Sequence, residues 1–198
     1  TRVTVVDNAS GDGSVETIDA ALRARGWGDW CELVAHPVNG GFAAGNNVAF
    51  RRALAAPDPP DAFLLMNPDA RAEPGCLETL AATLARRPDV SCGGVQVLDE
   101  DGAVRRSAFR FPTPLGELDG NARVGLVSRF LGRWAVAPEP PEVLAPVDWV
   151  SGAGFFVRRR VLEEIGLMDE GFFLYFEETD LCVRAARAGH PCWYLPDA

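Results

Sequence analysis

The tripeptide Asn67-Pro68-Asp69 places two oxygen-bearing side chains directly after a short apolar run. Because Pro68 biases the preceding residue toward an extended conformation, the side chains of Asn67 and Asp69 tend to lie on the same side of the chain. A hard divalent cation such as Mg²⁺ binds one or two carboxylates together with substrate phosphate oxygens, so Asp69 is a candidate metal ligand. The alternative is an Asx turn that only ends a strand.

An acidic block, Glu177-Glu178-Thr179-Asp180, follows the aromatic-rich run from Phe172 to Phe176. Carboxylates at a helix N-terminus are stabilised by the helix dipole by roughly 0.3 to 1 kcal/mol, which explains part of the block. Three acids exceed what capping requires, so one of them is a candidate general base whose pKa the adjacent apolar wall can raise. Both interpretations remain open from the residues alone.

Asp7 and a glycine-rich loop are further candidates for ligand binding. The Asp7 carboxylate directly follows a β-branched run and can accept hydrogen bonds from a ribose diol or a pyrimidine imide. On its own, Asp7 is also typical of a turn. The stretch from Gly40 to Asn47 has three glycines at a loop-to-helix junction, where backbone N–H groups can bind an anion, but it matches no common phosphate-binding motif.

Alternating short strands and helices position these residues. Apolar periodicity predicts strands at 3–6, 31–35 and 62–66, and helices at 14–25, 43–55 and 77–84. This order predicts an α/β fold, a mainly parallel sheet with helices on both faces, because parallel neighbours require a crossover. Ligands bind beyond the carboxyl ends of such strands, where Asp7 and Asn67 lie.

The second half of the chain is less regular. A hairpin or a tight excursion at a sheet edge is predicted from 90–98 and 103–106, and prolines interrupt the stretch 111–146, in which only 122–131 favours a short helix. A long irregular stretch inside a compact domain is typical of either a functional loop or a disordered segment. Strand character returns at 147–157, and helices are predicted at 158–165 and 177–188.

Composition excludes several classes of protein. The 198 residues, 47% of them hydrophobic, suffice for a core without disulfides or structural metal. With 19 basic and 28 acidic residues the formal net charge is −9, the wrong sign for nucleic-acid binding. The five cysteines lack metal-ligand spacing and indicate free, mostly buried thiols in a reducing compartment, with the cytoplasm as the default. No apolar stretch approaches the roughly 20 residues that cross a bilayer, and we expect no export signal.

Five sequence blocks, read together, carry a family resemblance. The blocks are Val5 to Ser14 (VVDNASGDGS), Asn39 to Asn47 (NGGFAAGNN), Leu65 to Ala70 (LMNPDA), Ser151 to Gly154 (SGAG) and Gly171 to Leu181 (GFFLYFEETDL). In this order they resemble the family 2 glycosyltransferases of GT-A fold, and within them the rhamnosyltransferase-like branch that acts on cell-wall and surface polysaccharides.

The resemblance implies an inverting, metal-dependent glycosyltransferase. Its expected reaction moves a sugar, with rhamnose as the best guess, from a nucleoside-diphosphate-sugar to a hydroxyl of a polysaccharide or lipid-linked saccharide. It implies that Asp7 contacts the nucleoside, that Asp69 binds Mg²⁺ or Mn²⁺ where the family has its DxD motif, and that the acidic block supplies the base. We predict Glu178 as that base, with Asp180 second. The further predicted donor-binding residues are Asn8, Gly41, Asn46 and Asn67.

The resemblance also assigns tasks to parts of a single domain. Residues 1–110 are expected to bind the nucleotide-sugar, 147–198 to hold the acceptor and the base, and 111–146 to form an acceptor-side lid. Residues 7, 69 and 178 are expected to converge on one crevice. We expect a cytoplasmic enzyme, associated peripherally with the inner face of the plasma membrane, and no nucleic-acid partner.

Three departures from the family pattern accompany these expectations. The base position is usually an aspartate after a glutamate, whereas here it is Glu178. Similar proteins have another strand and helix before the segment that starts here at Thr1, so we expect a longer parent chain. Relatives often carry a metal-binding histidine soon after a segment like 194–198. A nucleotidyltransferase and a catalytically inactive sugar-nucleotide-binding module are the alternative functions.

Overall fold

The computed structural model describes residues 1–111 and 136–198. The strands are β1 (Val3–Asn8), β2 (Cys31–His36), β3 (Ala62–Met66), β4 (Cys92–Val95), β5 (Ala108–Phe109), β6 (Ala145–Val147), β7 (Trp149–Val150), β8 (Gly154–Arg158) and β9 (Cys192–Leu195). The helices are α1 (Ser14–Arg25), α2 (Gly41–Leu54), α3 (Cys76–Arg86), α4 (Arg159–Ile165) and α5 (Glu177–Arg187). The chain divides into two compact units, Thr1–Pro60 with Leu167–Glu177, and Asp61–Gly166 with Glu178–Ala198.

The first unit is built on β1 and β2, two parallel strands joined by α1. Their register runs from Val3 opposite Cys31 to Asn8 opposite His36. Helix α1 ends at Gly26, whose left-handed conformation (φ 64°) directs its N–H back to the last turn. Helix α2 packs against β1. The order β1, α1, β2, α2 is therefore the alternation of strands and helices that the sequence predicts.

The second unit is centred on a five-stranded sheet in the order β3-β8-β4-β9-β6. Strands β3, β4 and β9 run in one direction, because β8 is antiparallel to both β3 and β4 while β9 is parallel to β4. Strand β6 is antiparallel to β9. The sheet is therefore mixed, and a strand from late in the sequence lies between two earlier, co-directional ones.

The core of the second unit lies on both faces of this sheet. One cluster joins α3 to the strands through Leu80, Val90, Val95, Phe156 and Leu195. Phe155 and Val157 alternate with Phe156 along β8 and so face the opposite side, and all three are fully buried. Each such side chain contributes on the order of 1.5 to 3 kcal/mol to folding. Together they fix the position of β8 and of the loop that precedes it.

The sequence-based predictions hold for most elements. The α/β class is confirmed, and the predicted hairpin is present as an antiparallel bridge between Leu98 and Val104. All five cysteines are free thiols, and each is buried except Cys76, which is half-buried. The helix predicted at 122–131 and most of the predicted lid lie outside the described residues. The assignment of tasks to 1–110, 111–146 and 147–198 stays a prediction.

Strand character is present over 147–157, as predicted, but one continuous strand does not form. Three short strands replace it, with breaks at Asp148 and at residues 151–153. The second break begins where the antiparallel pairing of β7 with β5 ends at Ser151 and the next backbone N–H donates to a side chain instead. Ser151 donates to the carbonyl of Ser107 at 3.0 Å, and Gly152 donates to a carboxylate.

Candidate active site

The carboxyl end of β3 and the start of β8 form one edge of the five-stranded sheet. Met66 lies opposite Gly154 in antiparallel register, so Asn67 continues beside the segment that precedes Gly154. In that segment the backbone N–H of Gly152 donates to Glu178 Oε1 at 3.3 Å. The register therefore brings the turn after β3 and the Glu178 carboxylate to the same edge of this unit.

Asn67 and Asp69 lie on a tight turn at that edge. The turn is closed by the N–H of Ala70, which donates to the carbonyl of Asn67 at 3.0 Å. Asp69 is exposed, whereas the side-chain oxygen of Asn67 is buried and has no hydrogen-bond partner among residues 1–111 and 136–198. The turn thus offers one charged and one neutral oxygen donor.

These two oxygens fit a hard divalent cation. Mg²⁺ commonly keeps several waters and takes one or two carboxylates plus substrate phosphates, so a site need not be supplied by the protein alone. Within the described part of the chain, no three His, Cys, Asp or Glu side chains form a cluster that could hold a metal.

The two oxygens of Glu178 have different surroundings. Oε1 accepts the hydrogen bond from Gly152. Oε2 is buried and accepts no hydrogen bond from any residue that the structure describes. Buried polar atoms in folded proteins are nearly always partnered, so each exception requires an explanation. An acceptor oxygen in this state is able to receive an incoming O–H group.

Asp180, by contrast, is engaged in an ion pair. Arg184, one turn further along α5, donates from Nε to Asp180 Oδ2 at 2.7 Å and from Nη1 to the carbonyl of Ile165 at 2.9 Å. Ile165 is the last residue of α4. The pair therefore fastens α5 to the end of α4, and protonation of Asp180 would weaken this attachment.

The predicted donor-binding residues of the first unit lie at the carboxyl end of β1 and in the first turns of α2. Asp7 is only 7% exposed, and its Oδ2 accepts a hydrogen bond from the N–H of Ser10 at 3.2 Å. Asn8 donates from Nδ2 to the carbonyl of Gly41 at 2.8 Å and to Asn39 Oδ1 at 3.1 Å. The N–H of Gly41 also donates to Asn39 Oδ1, at 3.0 Å. Both backbone groups of Gly41 are thus used within the loop.

Gly41 is required by a close backbone approach. Its φ is 87°, and a Cβ at this position would lie 2.1 Å from the carbonyl oxygen of Phe173. The N–H of Phe42 donates to the same oxygen at 2.9 Å. The start of α2 therefore holds the segment that leads into the acidic block.

Two adjacent asparagines on α2 have different environments. Asn46, a predicted donor-binding residue, is half-buried, and its Nδ2 donates to the carbonyl of Phe42 at 2.9 Å. Asn47 is 1% exposed; its Oδ1 accepts from the N–H of Met168 at 3.1 Å, and its Nδ2 donates to the carbonyl of Met168 at 2.8 Å. The Asn47 amide thereby pairs with the backbone as a neighbouring strand would.

Asn47 also contacts a charged pair. Its Nδ2 donates to Glu170 Oε1 at 2.9 Å, and Arg51 donates to the same oxygen at 2.5 Å. The hydrogen bonds from Asn47 and Arg51 lower the pKa of Glu170 below its usual value. Asn47 is not among the site residues that the sequence motifs predict. Its signal is helical spacing, because it lies four residues after Ala43 and three before Phe50, which are both buried.

Comparison with known proteins decides the family. Residues 1–166 match the sequence model described as glycosyl transferase family 2. This chain belongs to that family. The glycosyltransferase of Mycobacterium tuberculosis named N-acetylglucosaminyl-diphospho-decaprenol L-rhamnosyltransferase is 32% identical over 145 residues, which are 70% of this chain and 45% of the relative. The low-salt glycan biosynthesis hexosyltransferase Agl10 of Haloferax volcanii is 29% identical over 149 residues, 75% of this chain and 44% of the relative.

Two solved glycosyltransferase structures share the fold of this family member. The crystal structure of GalNAc-T7 with UDP, GalNAc and Mn²⁺ has a TM-score of 0.64 at 14% identity, covering 98% of this chain and 36% of the other. The mannosyltransferase PcManGT of Pyrobaculum calidifontis, in complex with GDP-Man and Mn²⁺, has a TM-score of 0.58 at 20% identity, covering 99% and 46%. These similarities confirm the predicted GT-A fold.

The comparisons leave the residue roles as predictions. The chain spans less than half the length of the two sequence relatives, at 45% and 44%. Asn67, Asp69 and Glu178 share one sheet edge in the second unit, while Asp7, Asn8, Gly41 and Asn46 lie in the first. Convergence of the two groups on one crevice remains an expectation. Among the described residues, no helix is both long and apolar enough to traverse a bilayer.

Proposed function

We propose that this family 2 chain transfers a sugar from a nucleoside-diphosphate-sugar to an acceptor hydroxyl, with inversion at the anomeric carbon. Rhamnose is the proposed sugar, and a saccharide carried on a lipid or a growing polysaccharide is the proposed acceptor. The name of the mycobacterial relative supports both choices. A lipid-linked acceptor also favours action at the cytoplasmic face of a membrane.

The environment of Glu178 carries this proposal. Hydrogen bonding from Gly152 orients the carboxylate through Oε1, and Oε2 has no partner among the described residues. In the proposed step, Oε2 takes the proton of the acceptor hydroxyl while that oxygen forms its bond to the anomeric carbon and the diphosphate departs with the electrons of the old bond. Asp180 is a weaker candidate, since its proton uptake would disrupt the pair with Arg184.

The turn after β3 is the proposed metal and diphosphate site. Asp69 and the side-chain oxygen of Asn67 would hold Mg²⁺ or Mn²⁺. Such a cation, when bound, offsets the charge that develops on the departing diphosphate. The formal net charge of −9 supports this role, because an acidic protein that binds an anionic donor needs positive charge between them.

The donor nucleoside is proposed to bind at the first unit. Asp7 is the penultimate residue of β1 and a nearly buried carboxylate, and Asn8 holds the loop that begins α2 through Gly41 and Asn39. Asn46 is half-buried, so part of its amide is accessible to a ligand. We propose that Asp7 accepts hydrogen bonds from the nucleoside and that the other polar groups shape the surrounding loop.

Glu178→Gln tests the base. Glutamine keeps the size of the side chain and its acceptor for Gly152 but cannot take a proton, so transfer should fall at least about a hundredfold while donor affinity is kept. Asp180→Asn is the comparison variant. It should lower the melting temperature and leave kcat close to the wild-type value. Initial rates with saturating donor and calorimetric donor titration measure these effects. Unchanged turnover in Glu178→Gln would remove this residue from the mechanism.

Asp69→Ala tests the metal site without relying on transfer. UDP, GDP and dTDP are compared by thermal shift with and without Mn²⁺, because a ligand that binds only the folded form raises its apparent stability. The wild-type chain should be stabilised by one nucleotide in the presence of Mn²⁺, and Asp69→Ala should lose this shift. Retention of the Mn²⁺-dependent shift in the variant would contradict the assignment. Nucleotide binding without transfer to any acceptor would favour the inactive binding module.

A further inference from the structure

Four consecutive apolar side chains project from the first unit just before the acidic block. We call Phe173, Leu174, Tyr175 and Phe176 the aromatic turn. Their exposed fractions are 61%, 53%, 69% and 59%. Isolated exposed apolar residues are normal on a protein surface, but contiguous ones indicate a binding surface. The aromatic turn is therefore a candidate binding surface.

The backbone of the aromatic turn is strained. Tyr175 and Phe176 have φ values of 69° and 72°, in the left-handed region that bulky side chains rarely adopt. This conformation is unfavourable for residues with bulky side chains, and strain of this kind is concentrated at functional sites. In this conformation the rings of Tyr175 and Phe176 are exposed.

The base of the aromatic turn is held firmly. Phe173 accepts the hydrogen bond from Phe42, and its carbonyl occupies the space where Gly41 lacks a side chain. Earlier in the same segment, Asn47 pairs with both backbone groups of Met168. The exposed rings therefore project from a fixed support on α2, which lowers the entropy lost when they bind a ligand.

The charge around the aromatic turn selects the kind of ligand. The segment 167–180 contains five acidic residues and no Lys, Arg or His. Glu170 and Asp180 are paired with Arg51 and Arg184, and Glu177 is buried. The segment itself carries no cation that could bind a phosphate headgroup. Carboxylates and the Tyr175 phenol instead complement a neutral polyol, whose hydroxyls need acceptors and donors. The C–H groups on one face of a pyranose ring carry slight positive charge, and these groups pack favourably on the negative face of an aromatic ring.

A second copy of the chain fits this surface less well. Four side chains exposed by 53% to 69% offer on the order of 400 Å², taking about 200 Å² for a whole aromatic side chain. A stable protein interface buries about 800 Å² on each partner. The aromatic turn alone is therefore too small for a dimer contact and matches the size of one or two sugar rings.

We propose that the aromatic turn binds a neutral pyranose ring of the acceptor, which stacks on Tyr175 and Phe176. This inference rests on the proposed function for the identity of the ligand as an acceptor. Glu178 follows Phe176 by two residues in the chain, so a sugar on the turn is bound close in sequence to the proposed base.

Saturation-transfer NMR tests the proposal, with the methyl glycosides of N-acetylglucosamine, galactose and mannose as probes at millimolar concentration. At least one glycoside should bind the wild-type chain, and Tyr175→Ala and Phe176→Ala should each weaken its affinity at least about tenfold. Val143→Ala is the matched control, because Val143 is also 69% exposed and lies elsewhere. Equal affinity in all variants, or no glycoside bound by the wild type, would overturn the proposal.

Two further measurements distinguish a saccharide from other ligands, and a failure of this inference from a failure of the proposed function. The saccharide assignment would be overturned if the wild-type chain bound phosphatidylcholine vesicles and both Tyr175→Ala and Phe176→Ala abolished this binding. It would also be overturned if the wild-type chain were a dimer that both substitutions dissociate. Sugar transfer with an acceptor KM unchanged in both variants would refute this inference and leave the proposed function standing. Glycoside binding that depends on the turn, in a chain that transfers no sugar from any donor, would refute the proposed function and leave a saccharide site.

Discussion

Replacement of Asn47 by alanine should destabilise the protein far more than the same replacement at Asn46. Asn47→Ala removes three hydrogen bonds, of 2.8, 2.9 and 3.1 Å, to Met168 and Glu170. At about 1 kcal/mol each, their loss costs about 3 kcal/mol. Met168 is only 4% exposed, so water cannot readily replace the amide at its backbone groups, and the cost should not fall much below this value.

Asn46→Ala is a matched control on the neighbouring residue. It removes one hydrogen bond to the carbonyl of Phe42 within the same helix, at a half-buried position that water reaches. Alanine has a higher helix propensity than asparagine by roughly 0.5 kcal/mol, which offsets most of that loss. The free energy of unfolding should therefore change by no more than about 0.5 kcal/mol.

Urea unfolding at neutral pH, followed by far-UV circular dichroism and tryptophan fluorescence, measures both variants. The expected result is a markedly lower urea midpoint for Asn47→Ala and a midpoint for Asn46→Ala close to that of the wild type. Equal midpoints for the two variants would refute the reasoning, because they would mean that the pairing with Met168 adds nothing to stability. A changed m-value would instead show that the denatured or native ensemble had changed.

Two other predictions concern stability. Gly41→Ala should destabilise the protein by at least about 2 kcal/mol, because its φ is 87° and the added Cβ would overlap the carbonyl of Phe173. Gly45→Ala should be neutral or stabilising, because the atom nearest to its added Cβ lies 3.4 Å away. Thermal melts of both variants check this contrast. Hydrogen bonding with Cys182 and with Cys92, and then burial, raises the pKa of Cys192 well above its usual value. The fold therefore favours the protonated thiol, and this stabilisation is complete below the unfolded pKa of about 8.5 and is lost as the pH rises above it. Urea midpoints at about pH 8 and about pH 10 should fall more steeply for the wild type than for Cys192→Ala, and parallel losses would contradict the assignment.

Short-range sequence patterns were sufficient to predict individual strands and helices. The apolar run before Asn67 and the helical spacing before Gly26 depend on a few neighbouring residues, and both predictions are confirmed. The order of strands was beyond such signals. Strand β8 lies between β3 and β4 because of long-range pairing, and neither periodicity nor turn residues encode which distant strand completes a sheet.

The candidate site was predicted in part for the same reason. The motifs identified Asn67, Asp69 and Glu178, and the structure brings their elements to one sheet edge. The contrast between Glu178 and Asp180 depends on the reach of Arg184 to the end of α4 and on a backbone N–H of a different loop. These contacts join residues that are far apart in the sequence, so no local spacing reveals them.

The central place of β8 has a consequence for biosynthesis. Strands β3 and β4 leave the ribosome long before residues 154–158, yet the hydrogen bonds that join them are made through β8. Until that strand emerges, both carry unpaired edges, which are templates for association with other chains. The first unit is likewise completed by residues 167–177. Nascent chains arrested before residue 158 should therefore depend on chaperones, because neither unit has yet received the segment that completes it.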